Sequence, residues 1–244
     1  MIHLKDVTKL YKSNGVVALD KVTLDIERGE FVFIVGTSGS GKSTLMKLLM
    51  HEEVATSGSI IVNGKDVTHL KQKEVPYLRR SLGVIFQDYR LLEDKTVYEN
   101  VAFAMQVIEA PRRIMQRSVN TVLDIVGLRD KFKSFPAQLS GGEQQRVAIA
   151  RAIVNDPRIV IADEPTGNLD PETSWDIMDI FQRINAAGTT IVMATHDKTI
   201  VDQMQRRVIA IENGKITRDE ARGVYSENQP EPPSPYNKFF PFKR

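Results

Sequence analysis

A glycine-rich segment carries the clearest chemistry in this chain. It follows the apolar run Phe31–Val35 and reads Gly36-Thr37-Ser38-Gly39-Ser40-Gly41-Lys42-Ser43-Thr44. Its glycines let backbone N–H groups turn toward phosphate oxygens, and a helix that starts after it adds positive potential. Lys42 supplies a cation for the β- and γ-phosphates, the Ser43 hydroxyl offers a ligand to Mg²⁺, and Thr44 helps to start the helix. The segment therefore predicts a site for a magnesium-bound nucleoside triphosphate.

Two carboxylates and a histidine follow later apolar runs. Asp163 and Glu164 end the run that begins at Ile159, and His196 follows the run that begins at Thr190. Because ligands gather at the C-terminal edge of a parallel sheet, Asp163 is predicted to hold Mg²⁺ through water. Glu164 can accept the proton of the water that attacks the γ-phosphate, and His196 can bind that phosphate and orient the water. The alternative is an ordinary solvated turn after each strand.

A glutamine and a tyrosine have roles that depend on their neighbours. Gln87 follows the short apolar run 83–86, where a strand leaves the sheet, and its amide can coordinate Mg²⁺ or position water. Tyr11 is predicted to lie in a loop before Gly15, where its ring can stack on adenine. Taken alone, Gln87 would be a surface glutamine and Tyr11 a core tyrosine.

Residues 139–144 form a second glycine-rich helix start. Ser140, Gly141 and Gly142 present N–H groups and a hydroxyl to an anion, much as the first segment does. Because Lys42 and its loop already hold the phosphates of one nucleotide, the second start has two interpretations. It caps a helix without a ligand, or it faces the nucleotide of another molecule, so that two-fold pairing lets each subunit complete the other's site.

The elements that must position these residues alternate along the chain. Hydrophobic patterning predicts strands at residues 2–8, 22–27, 31–35, 59–62, 83–86, 159–162, 189–194 and 208–211. It predicts helices at residues 42–50, 97–107, 112–126 and 143–154, with further helices between the later strands. Strands that alternate with helices favour an α/β fold with a mostly parallel sheet. A helical part, at about residues 88–157, is predicted to be inserted into it.

Composition narrows the class of protein. The chain has 244 residues, 41% of them hydrophobic and 26% charged, which is typical of a globular protein with a substantial core. A net charge of +2 gives no reason to expect nucleic acid as a partner, and the absence of cysteine excludes disulfides and thiolate metal sites. No apolar run approaches the ~20 residues of a membrane span, and the first residues lack the layout of a signal peptide. A cytoplasmic protein is the default expectation.

The last twenty residues differ from the rest in kind. Residues 225–244 are rich in proline and end Phe239-Phe240-Pro241-Phe242-Lys243-Arg244, so neither a helix nor a central strand is expected. We predict an extended or flexible tail after a domain that spans residues 1–224. The tail either is simply solvated or docks its rings and cations on a partner or a membrane surface.

Taken together, these motifs resemble the nucleotide-binding subunit of ATP-binding cassette (ABC) transporters, over roughly residues 1–220. The resemblance implies a phosphate-loop ATPase fold with an antiparallel β part and an inserted helical subdomain, and ATP and Mg²⁺ as cofactors. It implies metal ligation by Ser43, Gln87 and Asp163, catalysis by Lys42, Glu164 and His196, and adenine stacking by Tyr11. It also implies an ATP-bound, head-to-tail homodimer in which Ser140 and Gly142 touch the opposite γ-phosphate. Asn168 departs from the small Ser or Ala of many members.

Within the family, residues 86–92 and 94–103 resemble members that act in cell division. Such members imply an integral membrane partner that docks after Gln87, a peripheral place on the cytoplasmic face of the membrane, and control of peptidoglycan hydrolases. ATPases for lipoprotein release, macrolide export or small-solute transport share the catalytic motifs and are the alternative. ATPases of DNA repair carry long coiled-coil or zinc-bearing insertions between residues 42 and 139, and the heptads and cysteines of such insertions are absent here.

Overall fold

The structure is a computed structural model that describes residues 1–13 and 15–225. The predicted tail, apart from Tyr225, therefore lies outside the described residues. The helices are α1 (Lys42–Leu49), α2 (Val75–Arg80), α3 (Val97–Gln106), α4 (Arg112–Ile125), α5 (Gly141–Ile153), α6 (Pro171–Ala186) and α7 (Lys198–Met204). Two short 3₁₀ turns, Arg129–Lys131 and Pro136–Gln138, lie between α4 and α5.

Ten strands form two sheets within the described residues. The strands are β1 (Ile2–Tyr11), β2 (Val16–Ile26), β3 (Phe31–Val35), β4 (Ser57–Val62), β5 (Lys65–Asp66), β6 (Leu82–Ile85), β7 (Ile159–Asp163), β8 (Thr190–Ala194), β9 (Arg207–Glu212) and β10 (Lys215–Glu220). The first sheet is antiparallel, in the order β2-β1-β4-β5, and the second runs β10-β9-β3-β8-β7-β6. In the second sheet only β10 is antiparallel to its neighbour. The predicted α/β fold, with a mostly parallel sheet and an antiparallel part, is confirmed.

Strand β3 lies between two hydrophobic clusters, which explains its unbroken run of apolar residues. Alternate side chains of a strand point to opposite faces, so Phe31, Phe33 and Val35 enter one cluster while Val32 and Ile34 enter the other. Each is at most 4% exposed. Removing a buried ring such as that of Phe33 costs about 3–5 kcal/mol. The strand that leads into the glycine-rich loop is thus held from both sides.

Several boundaries differ from those predicted. Tyr11 was expected in a loop but is the last residue of β1, where it pairs with Val16. That strand is longer than its alternation suggested because register shifts let pairing with β2 continue beyond Leu4. Helix α5 begins at Gly141 instead of at residue 143, because Ser140 caps it. Strand β10 was not predicted, because it is an edge strand that buries few apolar side chains.

The described part of the chain contains neither a membrane-spanning helix nor a preformed metal cluster. Among residues 1–13 and 15–225, no helix is both long and apolar enough to cross a bilayer. The same residues contain no group of three or more His, Asp or Glu side chains placed to hold a metal ion by themselves.

Candidate nucleotide site

The glycine-rich loop connects β3 to α1 through backbone conformations that require glycine. Gly36 and Gly41 have φ of 148° and 116°, in the region that side chains avoid. A Cβ on Gly36 would collide with the carbonyl oxygen of Ile211, and one on Gly41 would lie 2.5 Å from the carbonyl oxygen of Ala18. Gly41 caps α1, and no side chain among the described residues caps the first N–H groups of that helix. This leaves them available to an anion.

Lys42 and Ser40 line the interior of this loop. The ammonium of Lys42, which is only 7% exposed, donates to the carbonyl oxygens of Gly36 and Thr37 at 2.8 and 2.9 Å. The Ser40 hydroxyl oxygen is buried and has no hydrogen-bond partner among the described residues. A buried polar group without a partner is costly, and phosphate oxygens would supply one. Thr37, Ser38 and Gly39 are exposed around this interior. A polyphosphate therefore fits the loop.

Oxygen ligands for a cation meet beside the loop. The Ser43 hydroxyl stabilises the charged form of the Asp163 carboxylate, which ends β7. Burial, and then the nearby charge of Glu164, raise the pKa of Asp163, although Ser43 and Lys42 act in the opposite direction. A half-buried carboxylate with a raised pKa gains from a divalent cation, and Mg²⁺ takes such ligands together with phosphate oxygens. The donor set therefore fits Mg²⁺.

Glu164 and His196 come together at the ends of neighbouring strands. Parallel pairing places Asp163 opposite Ala194, and the Nδ1 atom of His196 lies 3.2 Å from a carboxylate oxygen of Glu164. Glu164 adopts a left-handed conformation with φ of 50°, and its N–H donates to the carbonyl oxygen of Ala194 at 2.9 Å. A non-glycine residue held in that region marks a constrained position. The pair can accept a proton and hydrogen-bond to a water or a phosphate oxygen beside it.

Tyr11 lies near the first turn of α1, beside the phosphate-binding loop. Its hydroxyl is 3.4 Å from the hydroxyl of Thr44, and the ammonium of Lys9 lies 4.9 Å from the centre of its ring. Lys9 is itself buried and paired with Glu53 at 2.6 Å. Stacking of Tyr11 on adenine stays a prediction, because these contacts establish the position of the ring but not its ligand.

Gln87 stands apart from the Ser43–Asp163 pair in its contacts. Its amide nitrogen donates to the side-chain oxygen of Asn168 at 3.3 Å. The two residues after Asp88, Tyr89 and Arg90, are left-handed, and the guanidinium of Arg151 on α5 donates to both of their carbonyl oxygens, at 2.7 and 2.5 Å. Burial lowers the pKa of Arg151. Helix α5 thus holds the loop that carries Gln87.

The second glycine-rich segment starts helix α5. The Ser140 hydroxyl accepts the N–H of Glu143 at 3.3 Å, and the Glu143 carboxylate accepts the N–H of Ser140 at 3.0 Å. Lys131 forms an ion pair with Glu143. A Cβ on Gly142 would collide with Thr173 of α6. Ser140 and Gly141 are exposed, so their polar groups face solvent on the surface of this chain.

The sequence did not predict a role for Tyr225. Its hydroxyl lies 3.5 Å from the carbonyl oxygen of Gly36, and its backbone N–H donates to Asp202 at 2.6 Å. Burial, and more weakly the charge of Glu164, raise the pKa of this phenol. No motif could have revealed the contact, because it joins the end of the described chain to a loop near its start.

One edge of the parallel sheet thus gathers a buried lysine in an anion-binding loop, a carboxylate for a cation and a paired Glu and His. That arrangement defines the chain as a nucleoside triphosphatase of the phosphate-loop class. The family model for ABC transporters matches residues 19–167. The chain therefore belongs to the ABC transporter family, and it is an ATPase.

Curated relatives and solved structures agree with this assignment. The chain is 56% identical over 225 residues to the cell division ATP-binding protein FtsE of Streptococcus pneumoniae serotype 2, which covers 92% of this chain and 97% of the relative. It is 48% identical over 216 residues to the FtsE protein of Escherichia coli strain K12, with coverages of 88% and 97%. The ATP-binding cassette MJ0796, solved as a dimer bound to ADP and Pi, matches with a TM-score of 0.82 and 36% identity, over 91% of this chain and 99% of that one.

Proposed function

We propose that this chain is the ATP-hydrolysing subunit of a membrane complex that acts in cell division, with an integral membrane partner of the FtsX type. The observation that carries the proposal is 56% identity to FtsE proteins over 92% of the chain. Under this proposal the chain is peripheral, on the cytoplasmic face of the membrane. Its output is the control of peptidoglycan hydrolases on the other side.

The site residues divide the reaction between them in this proposal. Lys42 and the loop from Gly36 hold the β- and γ-phosphates, and Ser43, Asp163 and Gln87 hold Mg²⁺, which neutralises charge on the phosphates. Glu164 accepts the proton of the attacking water, while His196 orients that water and binds the γ-phosphate. The 3.2 Å contact between His196 and Glu164 supports this division, because a base needs a fixed orientation to act.

A head-to-tail homodimer is the second part of the proposal. Ser140 and Gly142 of one subunit would touch the γ-phosphate held by the other, so that hydrolysis needs two chains. The exposure of Ser140 on the described surface supports its part in this role, as does the dimeric state of the MJ0796 cassettes. We expect Glu164→Gln to keep ATP binding, to lose most of its hydrolysis (about 100-fold or more) and to accumulate an ATP-bound dimer in size-exclusion chromatography. Normal turnover in that variant would remove Glu164 as the base.

The domain arrangement offers a docking site for the membrane partner in this proposal. We propose that residues 1–224 form one nucleotide-binding domain and that the helical part, at about residues 88–157, receives the membrane partner. Helix α3 exposes Phe103 by 46% of its surface, in the segment whose sequence resembles the cell-division members. An exposed apolar side chain on the helix that follows the loop from Gln87 would connect docking to the nucleotide site.

A membrane pull-down tests the identity of the partner. The tagged chain is purified from detergent-solubilised membranes, and its partners are identified by mass spectrometry. A protein of the FtsX type supports the proposal. A permease with a solute-binding protein, or a partner for lipoprotein release or macrolide export, would favour those alternatives. Phe103→Ser should weaken capture, whereas Val54→Ser, which changes an equally exposed apolar residue outside the helical part, should leave it unchanged.

A further inference from the structure

Gln87 and Asn168 make two hydrogen bonds to each other across the edge of the sheet. The Gln87 amide nitrogen donates to the Asn168 side-chain oxygen at 3.3 Å, and the Asn168 amide nitrogen donates to the backbone carbonyl oxygen of Gln87, also at 3.3 Å. Gln87 lies just beyond β6, and Asn168 lies between β7 and α6. Strands β6 and β7 are parallel neighbours in the sheet. The two residues are 81 positions apart, so only the sheet brings them together.

The second of these bonds determines the orientation of both amides. A backbone carbonyl can only accept, so Asn168 must turn its nitrogen toward it and its oxygen the other way. That oxygen can only accept in turn, so Gln87 must present its amide nitrogen to it. The side-chain oxygen of Gln87 is then directed away from Asn168. Metal ions such as Mg²⁺ bind amide oxygen, whereas an amide NH₂ offers them no ligand.

Gly167 lets the Gln87 side chain come close. A Cβ at position 167 would lie 2.9 Å from the Gln87 amide nitrogen, closer than van der Waals contact allows. Both Gln87 and Asn168 are exposed, so water competes for each bond. The geometry of the Gln87–Asn168 pair is therefore defined by the steric fit at Gly167 and by two reciprocal hydrogen bonds. Burial does not contribute to it. An effect of a few-fold is the appropriate scale for such a pair.

We propose that Asn168 is a positioning residue that orients the Gln87 amide and keeps its oxygen free for the nucleotide-bound cation. An alanine at this position could form neither bond. The inference rests on the proposed role of Gln87 as a Mg²⁺ ligand, and it gives a function to the residue that departs from the small side chain of many family members.

Binding of Mn²⁺ in place of Mg²⁺, without turnover, tests this role. The protein is titrated in the presence of a non-hydrolysable ATP analogue. The loss of the free Mn²⁺ signal in electron paramagnetic resonance then gives the affinity for the cation directly. We expect Asn168→Ala to weaken that affinity by about three- to tenfold. Gln87→Ala should weaken it as much, and the double variant should be no weaker than Gln87→Ala, because Asn168 acts only through Gln87. Asn120→Ala, the same change on α4, is the matched control.

The proposal would be overturned by unchanged Mn²⁺ affinity in Asn168→Ala, by unchanged affinity in Gln87→Ala, or by additive losses in the double variant. The proposal would also be overturned if both variants bound the analogue more weakly in the absence of metal. Such a loss would indicate general damage to the loop. The proposed nucleotide function is tested separately by Lys42→Ala. If the analogue binds to the unchanged chain and not to that variant, the nucleotide function stands whatever the outcome at Asn168.

Discussion

Helices α1 and α5 both start in glycine-rich segments, yet they differ in how their first N–H groups are satisfied. Gly41 caps α1 in a left-handed conformation, with no side-chain bond and no acidic residue in the first turn. Ser140 caps α5 in an extended conformation with a complete capping box, in which Glu143 accepts the Ser140 N–H. The first helix start leaves its N–H groups open to a ligand, whereas at the second the chain itself binds the N–H groups of Ser140 and Glu143.

This difference separates two kinds of anion contact. The open start of α1 can surround a phosphate with backbone N–H groups, and Lys42 adds a charge. At α5 the Ser140 hydroxyl already accepts the N–H of Glu143, but a hydroxyl that accepts one bond still has its own proton to donate. The capping box therefore fixes the Ser140 oxygen and leaves one directed O–H donor. A rigid single donor suits a contact made to a phosphate that another subunit already holds.

The largest effect should come from removing the charge at α1. We expect Lys42→Ala to lower ATP hydrolysis by about 100-fold or more, because it removes a preorganised cation from the transferring phosphate. Nucleotide binding, measured with a fluorescent ATP analogue, should weaken in the same variant. Lys65→Ala, which removes an exposed lysine of β5, is the control and should change neither quantity. Retained hydrolysis in Lys42→Ala would contradict the assignment of the loop.

Both helix starts could be predicted from local patterns. A glycine-rich run before a helix former needs no tertiary information, and Lys42 and Ser140 each lie within such a run. The Gln87–Asn168 pair and the contact of Tyr225 with Gly36 could not be predicted, because each depends on how distant segments meet. Tyr11 was placed in a loop for a related reason, since strand pairing with β2 extends β1 beyond its alternating pattern.

An arginine at the start of α5 should show whether Ser140 acts on the nucleotide of its own chain or on that of the partner. We expect Ser140→Arg to abolish most hydrolysis while leaving nucleotide binding to the single chain intact, because its own α1 site is unchanged. If Ser140 acts on the partner's nucleotide, then mixing this variant with Lys42→Ala should restore about a quarter of the activity, from one intact site in each mixed dimer. The two variants alone serve as controls. No recovery on mixing would count against sites shared between subunits.

The smallest effect should come from the charge within the capping box of α5. The hydrogen bonds that the Glu143 carboxylate accepts, first from Lys131 and then from the Ser140 N–H, hold the pKa of Glu143 below the ordinary value of 4.5. The ionised carboxylate therefore stabilises the folded state above about pH 4.5, and this stabilisation is lost as the pH falls through the lower pKa of the folded form. Glu143→Gln keeps an acceptor but loses the charge, so urea unfolding at pH 7 should show a loss of about 0.3–1 kcal/mol.

The pH dependence distinguishes this charge effect from a packing defect. The difference in unfolding free energy between Glu143→Gln and the unchanged chain should shrink as the pH falls from about 4.5 through the lower pKa of the folded form, because only below that pKa is the carboxylate protonated in both states. Glu99→Gln is the matched control: it alters the capping box of α3 and leaves the Lys131 ion pair at α5 in place. A loss in Glu143→Gln that stays constant down to low pH would indicate that shape, and not charge, holds the start of α5. The second helix start would then depend on its hydrogen bonds alone.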